Sequence, residues 1–187
     1  MLDEALEPLV ESFRATGRDI FLAGLISSHG GNLSVRQGEL IVITRRGSML
    51  GRLTSDDLVV TGLEPCADDE RCSRELVVHR EIYRRTDALA VAHAHPVHAI
   101  ARSFAVDTIV PADSEGRYIL GEVPVFEAKE TIGSAEAAAL IAESLREHPV
   151  AVLRSHGAFA KGQTLEEAFY HVSVLEASVR VLDLLDR

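Results

Sequence analysis

Two histidines at the end of an apolar run are the residues in this chain best suited to chemistry. His93 and His95 close the segment Val-Ala-His-Ala-His. Side chains two residues apart leave a β-strand from the same face, so both imidazoles would converge on one point. His156 follows a second apolar run, residues 150–153. Three imidazoles from two buried strands, with a nearby carboxylate, predict an open catalytic metal site with zinc as the expected ion.

The other candidate residues each have a structural interpretation beside the functional one. Glu75 opens a predicted helix, where the helix dipole alone favours an acidic residue. The segment Gly30-Gly31-Asn32 is either a plain tight turn or a loop whose backbone N–H groups bind an anion. Arg45-Arg46-Gly47-Ser48 is either a solvated turn or a basic loop that binds phosphate or carboxylate. Taken singly, these residues leave both interpretations open.

The elements that would position these residues alternate between helices and strands. Helices are predicted over 3–26, 74–85, 97–104, 134–147 and from Thr164 nearly to Arg187, and strands over 33–36, 39–44, 57–61, 89–95, 123–126, 150–154 and 158–161. Ser73 and Ser134 are predicted to cap the helices that follow them. A length of 187 residues suits one domain. We therefore predict a single α/β domain over residues 1–187.

Charge and composition argue against two classes of partner. The formal net charge is -10, whereas nucleic acids and anionic membranes attract a basic face. No apolar run approaches the roughly 20 residues of a membrane span, and the acidic N-terminal segment lacks the basic head of a signal peptide. Cys66 and Cys72 could pair or bind a metal ion, but we interpret them as free thiols in a reducing compartment. We expect a cytoplasmic protein, in which local arginines still permit a small anionic substrate.

Taken in order, the motifs resemble those of the class II aldolase/adducin family. They are Gly-Gly-Asn-Leu-Ser-Val-Arg, Ile-Thr-Arg-Arg-Gly, Ser-Arg-Glu followed by His and Ile-Tyr, His-Ala-His-Pro, and Ser-His-Gly. The resemblance covers about residues 5–180, and the ordered set is far more specific than any one motif. It implies a three-layer α/β/α fold with a central, largely antiparallel sheet, a zinc ion or another divalent metal, and a homotetramer with active sites at subunit boundaries.

The same resemblance implies a role for each motif. The metal ligands would be His93, His95 and His156, and the catalytic acid/base would be Glu75. The phosphate-binding elements would fall on Gly31, Asn32, Gly47 and Ser73. Arg46 and Arg74 replace a threonine and a serine of the family pattern, and would bind either the phosphate or a substrate carboxylate. Asp113, Glu115 and Tyr118 are candidates for a second proton donor.

The implied enzyme is a lyase that cleaves a ketose 1-phosphate, such as fuculose 1-phosphate, into dihydroxyacetone phosphate and an aldehyde. Zinc would stabilise the enediolate as a Lewis acid, and Glu75 would shuttle its proton. A sugar-acid phosphate decarboxylase, a pentulose-phosphate epimerase and a methylthioribulose-phosphate dehydratase remain alternatives. The two arginines suit the decarboxylase, whereas the epimerase typically has aspartate in place of Glu75. The non-enzymatic adducin head lacks the metal set that this chain retains.

Overall fold

The computed structural model describes residues 7–185, in which six α-helices alternate with eight β-strands. The helices are α1 Glu7–Leu22, α2 Leu76–Arg85, α3 Val97–Ser103, α4 Ser114–Ile119, α5 Ala135–Ser144 and α6 Leu165–Leu185. The strands are β1 Asn32–Gln37, β2 Leu40–Thr44, β3 Leu58–Gly62, β4 Ala90–Ala94, β5 Thr108–Ile109, β6 Val123–Phe126, β7 Val150–Leu153 and β8 Gly157–Gly162. Within this range, no helix combines the length and the apolar character that crossing a membrane requires.

The strands are arranged in the order β3-β2-β1-β4-β8-β7-β6-β5. β6 and β7 pair in parallel, while the other neighbours pair antiparallel. The sheet is therefore mixed, and the prediction of a largely antiparallel sheet is wrong on this point. The reason is the connection between β6 and β7, because α5 carries the chain back across the sheet and both strands start at the same end.

The central strands are buried on both faces, which explains their nearly continuous apolar sequence. In β4, Ala92 packs into one hydrophobic cluster and Val91 into a second. Ala158 and Phe159 of β8 divide between the same two clusters. Since successive side chains of a strand point to opposite faces, the two clusters lie on opposite faces of the sheet.

Helices cover both clusters. On one face α6 packs against β4 and β8, with α1, α3 and α4 against α6. On the other face α2 packs against α5, which contacts β6 and β7. These contacts hold the strand ends that carry the candidate residues in a fixed arrangement.

Several predicted elements agree with the structure, and others need correction. The strands predicted over 33–36 and 39–44 correspond to β1 and β2, which form a hairpin with Gly38 at φ +62° in its turn. The first helix ends at Leu22 rather than at residue 26, because the chain turns at Gly24 with φ +71°. Its predicted residues 3–6 lie outside the described range. The short elements α4 and β5 were not predicted, since each contains too few residues to show a period.

Candidate metal centre

Three imidazoles meet where β4 ends and β8 begins. His93 lies in β4, His95 follows that strand, and His156 lies in the turn between β7 and β8. Their ligand atoms all lie within 4.8 Å of one another. The Nε2 atoms of His93 and His95 are 3.0 Å apart. Two nitrogens bound to one tetrahedral zinc at about 2.0–2.1 Å would be separated by roughly 3.3 Å, so this spacing fits a shared cation.

The neighbouring strand β8 fixes the orientation of His93. The ring Nδ1 lies 3.0 Å from the backbone carbonyl of Ala158, to which it donates as N–H. The ring also stacks on Phe159, with centroids 4.0 Å apart and an interplanar angle of 15°. Both contacts leave Nε2 of His93 directed at the other two imidazoles. A hydrogen bond to the second ring nitrogen commonly orients a metal-ligating histidine in this way.

Burial keeps the three imidazoles neutral. It lowers the pKa of His93 well below the ordinary value, and the adjacent His95 and His156 add to the effect. Burial also lowers the pKa of His95, and it lowers the pKa of His156 to about 4. A neutral imidazole offers a lone pair to a metal ion, so the donor set has the protonation state that metal binding requires.

The turn that presents His156 is tight. Ser155 has φ +64°, an uncommon backbone conformation for a residue other than glycine. The His156 N–H donates to the Leu153 carbonyl at 3.0 Å. The next residue, Gly157, is pressed against the other two histidines. The strained turn therefore brings the third imidazole back to the end of β4.

Gly157→Ala tests how closely this packing holds the histidines. An added Cβ would collide with the Ala94 carbonyl oxygen and would lie 2.8 Å from Cδ2 of His95. We expect a loss of roughly 1–3 kcal/mol in the free energy of unfolding, together with weaker metal binding. Thermal melting and bound-metal analysis would measure both. Gly62→Ala is the control, because its Cβ would meet no atom nearer than 3.4 Å; equal behaviour of the two variants would contradict the expectation.

Glu75 lies beside the three imidazoles. Its Oε1 is 4.0 Å from Nε2 of His156 and accepts the Gly133 N–H at 3.0 Å. Its Oε2 is buried and has no hydrogen-bond partner within residues 7–185. Burial raises the pKa of the carboxyl group to about 7, against the lowering effects of the Gly133 N–H and of Arg74. A buried carboxylate oxygen without a partner, next to neutral imidazoles, fits a site that holds a cation.

The position of Glu75 corrects the predicted start of α2. Glu75 itself is the N-cap residue, with φ -79° and ψ 4°, and α2 begins at Leu76 rather than at residue 74. Ser73 does not cap the helix; its Oγ accepts the N–H of Glu75 at 3.3 Å. This local turn directs the Glu75 side chain toward the metal centre instead of along the helix axis.

The imidazoles and Glu75 line a cavity of about 300 Å³. All of the predicted phosphate-binding residues line the same cavity: Gly31, Asn32, Arg46, Gly47, Ser73 and Arg74. His29, Gly30, Arg45, Ser48 and Ile132 line it as well. The structure thus brings together the predicted metal, acid–base and phosphate-binding residues around one space large enough for a small ligand.

The basic loop that follows β2 is held by backbone hydrogen bonds. The Arg46 N–H donates to the Arg71 carbonyl at 2.9 Å, and the Ser48 N–H donates to the Arg45 carbonyl at 3.2 Å. Gly47 has φ +77°, which glycine adopts without strain. Arg45 forms a 3.0 Å salt bridge with Asp57. The loop therefore presents positive charge to the cavity from a fixed backbone.

The match to a known family decides how this arrangement is classified. The sequence profile described as Class II Aldolase and Adducin N-terminal domain matches residues 11–182. The chain belongs to the class II aldolase and adducin family. Membership implies an enzyme of the lyase class, and class II aldolases are typically dependent on a divalent metal.

Individual class II aldolases resemble the chain over nearly its full length. It is 31% identical over 171 residues to an L-fuculose phosphate aldolase of Methanocaldococcus jannaschii, covering 90% of this chain and 93% of the relative. The crystal structure of L-fuculose-1-phosphate aldolase from Thermus thermophilus superposes with a TM-score of 0.92 and 44% identity, covering 95% of this chain and 94% of that one. Within the family the chain is also 33% identical over 177 residues to a methylthioribulose-1-phosphate dehydratase of Acidiphilium cryptum, covering 87% and 83%.

Some residues of this candidate site were not identified from sequence. The Gly133 N–H that binds Glu75, and the Phe159 ring beneath His93, come from segments distant in the chain. The suggested proton donors Asp113, Glu115 and Tyr118 do not line the cavity of the described chain. Asp113 instead caps α4 by accepting the Gly116 N–H at 2.8 Å.

Proposed function

We propose that the protein is a metal-dependent aldolase that cleaves a ketose 1-phosphate, such as fuculose 1-phosphate, into dihydroxyacetone phosphate and an aldehyde. The observation that carries this proposal is the single cavity that joins the three histidines and Glu75 to the Gly-Gly-Asn and Arg-Gly-Ser loops. The similar L-fuculose phosphate aldolases support the choice of substrate class.

In the proposed site His93, His95 and His156 hold a divalent cation, for which zinc is our choice. The bound cation would supply Lewis acidity, polarising the substrate carbonyl and stabilising the negative charge that develops on cleavage. Glu75 lies beside the cation site and would donate a proton to the substrate carbon released by cleavage, while the hydroxyl that becomes the aldehyde gives its proton to water. Its pKa of about 7 suits it to exchange a proton in either direction near neutral pH.

The loops that line the same cavity would hold the phosphate. Neutral donors in this cavity are the backbone N–H groups around Gly31 and Gly47, the Asn32 amide and the Ser73 hydroxyl. Arg46 and Arg74 add positive charge at the exposed rim. Fixing the phosphate orients the carbon–carbon bond relative to Glu75, and such orientation lowers the barrier by itself.

Turnover of candidate substrates tests the proposal. Metal-replete protein would be incubated with several ketose 1-phosphates, and dihydroxyacetone phosphate would be detected with a coupled dehydrogenase. We expect release of this product from at least one of them, and no release by metal-stripped protein until metal is restored. Absence of the product with every ketose 1-phosphate would reject the aldolase assignment.

A second candidate uses the same cavity for a different reaction. The relative that is 33% identical carries the name methylthioribulose-1-phosphate dehydratase, which favours elimination of water as the alternative. Arg46 and Arg74 would also suit the carboxylate of a phosphorylated sugar acid, the substrate of a decarboxylase. Loss of water from methylthioribulose 1-phosphate, or release of carbon dioxide, without dihydroxyacetone phosphate would favour these reactions.

Arg46→Ala would show whether this arginine contacts the substrate anion. We expect the Michaelis constant for the phosphorylated substrate to rise about tenfold, with little change in kcat, since a hydrogen bond to a charged group contributes about 1.5–3 kcal/mol. Steady-state kinetics would measure both constants. Arg18→Ala, which removes an exposed arginine of α1, is the control. An unchanged Michaelis constant would place Arg46 away from the anion.

We also propose that the protein is cytoplasmic and forms a homotetramer. Each subunit would be one three-layer domain over residues 1–187. The helices on both faces of the sheet support the layering. Exposed apolar side chains on α3, α4 and α6 and in the loops beside them support subunit contacts: Val97, Phe104, Val110, Tyr118 and Leu184. The net charge of -10 supports a small-molecule substrate rather than a nucleic acid or a membrane surface. Light scattering would give the oligomeric state.

A further inference from the structure

Three buried side chains beneath the cavity form a continuous hydrogen-bonded row that ends on Asn32. The Tyr83 hydroxyl lies 2.7 Å from Oγ of Ser34, which lies 2.6 Å from Nδ1 of His79. Nε2 of His79 lies 2.6 Å from Oδ1 of Asn32. Tyr83, Ser34 and His79 are at most 1% exposed. The row leads from the protein core to the wall of the cavity, which Asn32 lines.

Secondary structure supplies this row from two facing elements. Asn32 and Ser34 are two residues apart in β1, and His79 and Tyr83 are four residues apart in α2. Both spacings place two side chains on one face of their element. Each of the four side chains can therefore meet its neighbours without a strained backbone.

The proton positions in the row follow from the chemistry of its members. Burial lowers the pKa of His79 to about 3, so the ring is neutral and carries a single N–H. With Oδ1 of Asn32 as acceptor, this N–H is on Nε2, and Nδ1 accepts the Ser34 O–H. Ser34 in turn accepts the Tyr83 O–H. Each member donates one hydrogen bond to the next.

The opposite direction would leave a buried donor unsatisfied. If the Asn32 amide were turned round, every proton would be donated the other way, and the Tyr83 O–H would have to point away from Ser34. Within the described chain, the acceptor in hydrogen-bond distance of the Tyr83 hydroxyl is Oγ of Ser34. The backbone N–H of Val91 also lies beside this hydroxyl, but it is a donor and cannot accept the proton. An unsatisfied buried hydroxyl is costly, so the forward direction is favoured.

We propose that Tyr83, Ser34 and His79 form a relay that fixes the Asn32 amide so that its NH₂ group, and not its carbonyl oxygen, faces the substrate anion. His79 is thus a positioning residue that acts through Asn32. This inference rests on the proposed function, because it takes the anion bound beside Asn32 to be a phosphate. Asn32 pairs in register with His93, so the oriented amide also lies next to the metal centre.

Nuclear magnetic resonance of the wild-type protein tests the relay directly, independently of turnover. In protein labelled with ¹⁵N-histidine, we expect His79 to carry its proton on Nε2 and to leave Nδ1 unprotonated. The Nδ1–H form would overturn the proposal, because the relay would then run in the opposite direction. Titration with inorganic phosphate should shift the Asn32 side-chain NH₂ signals.

A double-mutant cycle tests whether His79 acts through Asn32. Inorganic phosphate would be titrated into metal-loaded and metal-free protein, which separates binding by the pocket from binding by the metal. We expect His79→Leu to weaken phosphate binding about tenfold in the wild-type background and less than twofold in the Asn32→Ala background. His79→Gln, which keeps a donor for Asn32, should stay within about threefold of wild type. His171→Leu, a histidine outside this cavity, is the control.

The outcomes separate this inference from the proposed function. A His79→Leu effect that persists undiminished without Asn32 would make His79 a merely structural residue and overturn the relay. If His79→Leu does not fold, Tyr83→Phe, which deletes one hydroxyl of the row, replaces it in the cycle. This variant must then weaken phosphate binding in the wild-type background and not in the Asn32→Ala background. Wild-type protein that binds no phosphate would also overturn the relay. Coupled phosphate binding without cleavage of any ketose 1-phosphate would support the relay and reject the aldolase.

Discussion

His156→Ala is expected to abolish metal binding and turnover together. The remaining candidate ligands, His93 and His95, come from one strand end and would hold a cation from one side only. Loss of a residue that merely supports a metal ligand already costs about 10–100-fold in affinity. Loss of one of three ligands should therefore cost more than about a hundredfold and leave the purified protein without stoichiometric metal.

Bound-metal analysis and the coupled assay would measure this result side by side. His148→Ala is the matched control, because this histidine follows α5 and lies outside the cavity. His148→Ala should keep both metal and turnover. A His156→Ala protein that retains a full complement of metal would show that the three imidazoles do not form one site. Retained turnover without metal would reject the proposed chemistry altogether.

Glu75→Gln is expected to keep the metal while losing most of the rate. The amide preserves the shape of the side chain, and its oxygen can still accept the Gly133 N–H that now binds Glu75 at 3.0 Å. It cannot carry the proton, however, at neutral pH. General acid–base catalysis typically contributes about 10²–10⁴-fold, and we expect kcat to fall by that factor with a small change in the Michaelis constant.

Steady-state kinetics at saturating substrate, with metal content measured on the same samples, would check this prediction. Glu122→Gln changes an exposed glutamate outside the cavity and should leave kcat unaltered. Retained activity of Glu75→Gln would remove the carboxyl group from the acid–base role. Loss of metal from Glu75→Gln would instead show that the carboxylate, whose Oε1 lies 4.0 Å from Nε2 of His156, is needed to hold the metal.

Local patterns in the sequence were sufficient to predict the elements that carry the histidines. The apolar run before His93 corresponds to β4, and the run before His156 corresponds to β7. The predicted cap of α5 is confirmed, since Oγ of Ser134 accepts the Ala137 N–H at 3.0 Å. These features depend on residues close together in the chain, so the period of the apolar residues and the chemistry of the cap are enough to predict them.

Features that depend on distant segments could not be predicted in the same way. The parallel pairing of β6 with β7 follows from the path of α5, which no local pattern encodes. The contact between Gly133 and Glu75 joins residues 58 positions apart. His79 has the sequence appearance of an ordinary helix residue, and only the facing strand β1 reveals its partners. The family resemblance predicted a more specific set of site residues than any single spacing did.

The pairing of Asn32 with His93 in adjacent strands has a consequence for regioselectivity. Neighbouring strands lie roughly 4.8 Å apart, and their backbone hydrogen bonds fix that spacing more firmly than a loop would. An anion held at Asn32 and a cation held at His93 are therefore separated by a nearly constant length. We expect the enzyme to prefer ketoses phosphorylated on the carbon next to the carbonyl over isomers phosphorylated at the far end. Which carbon carries the phosphate would then matter more than the configuration of the remaining hydroxyl groups.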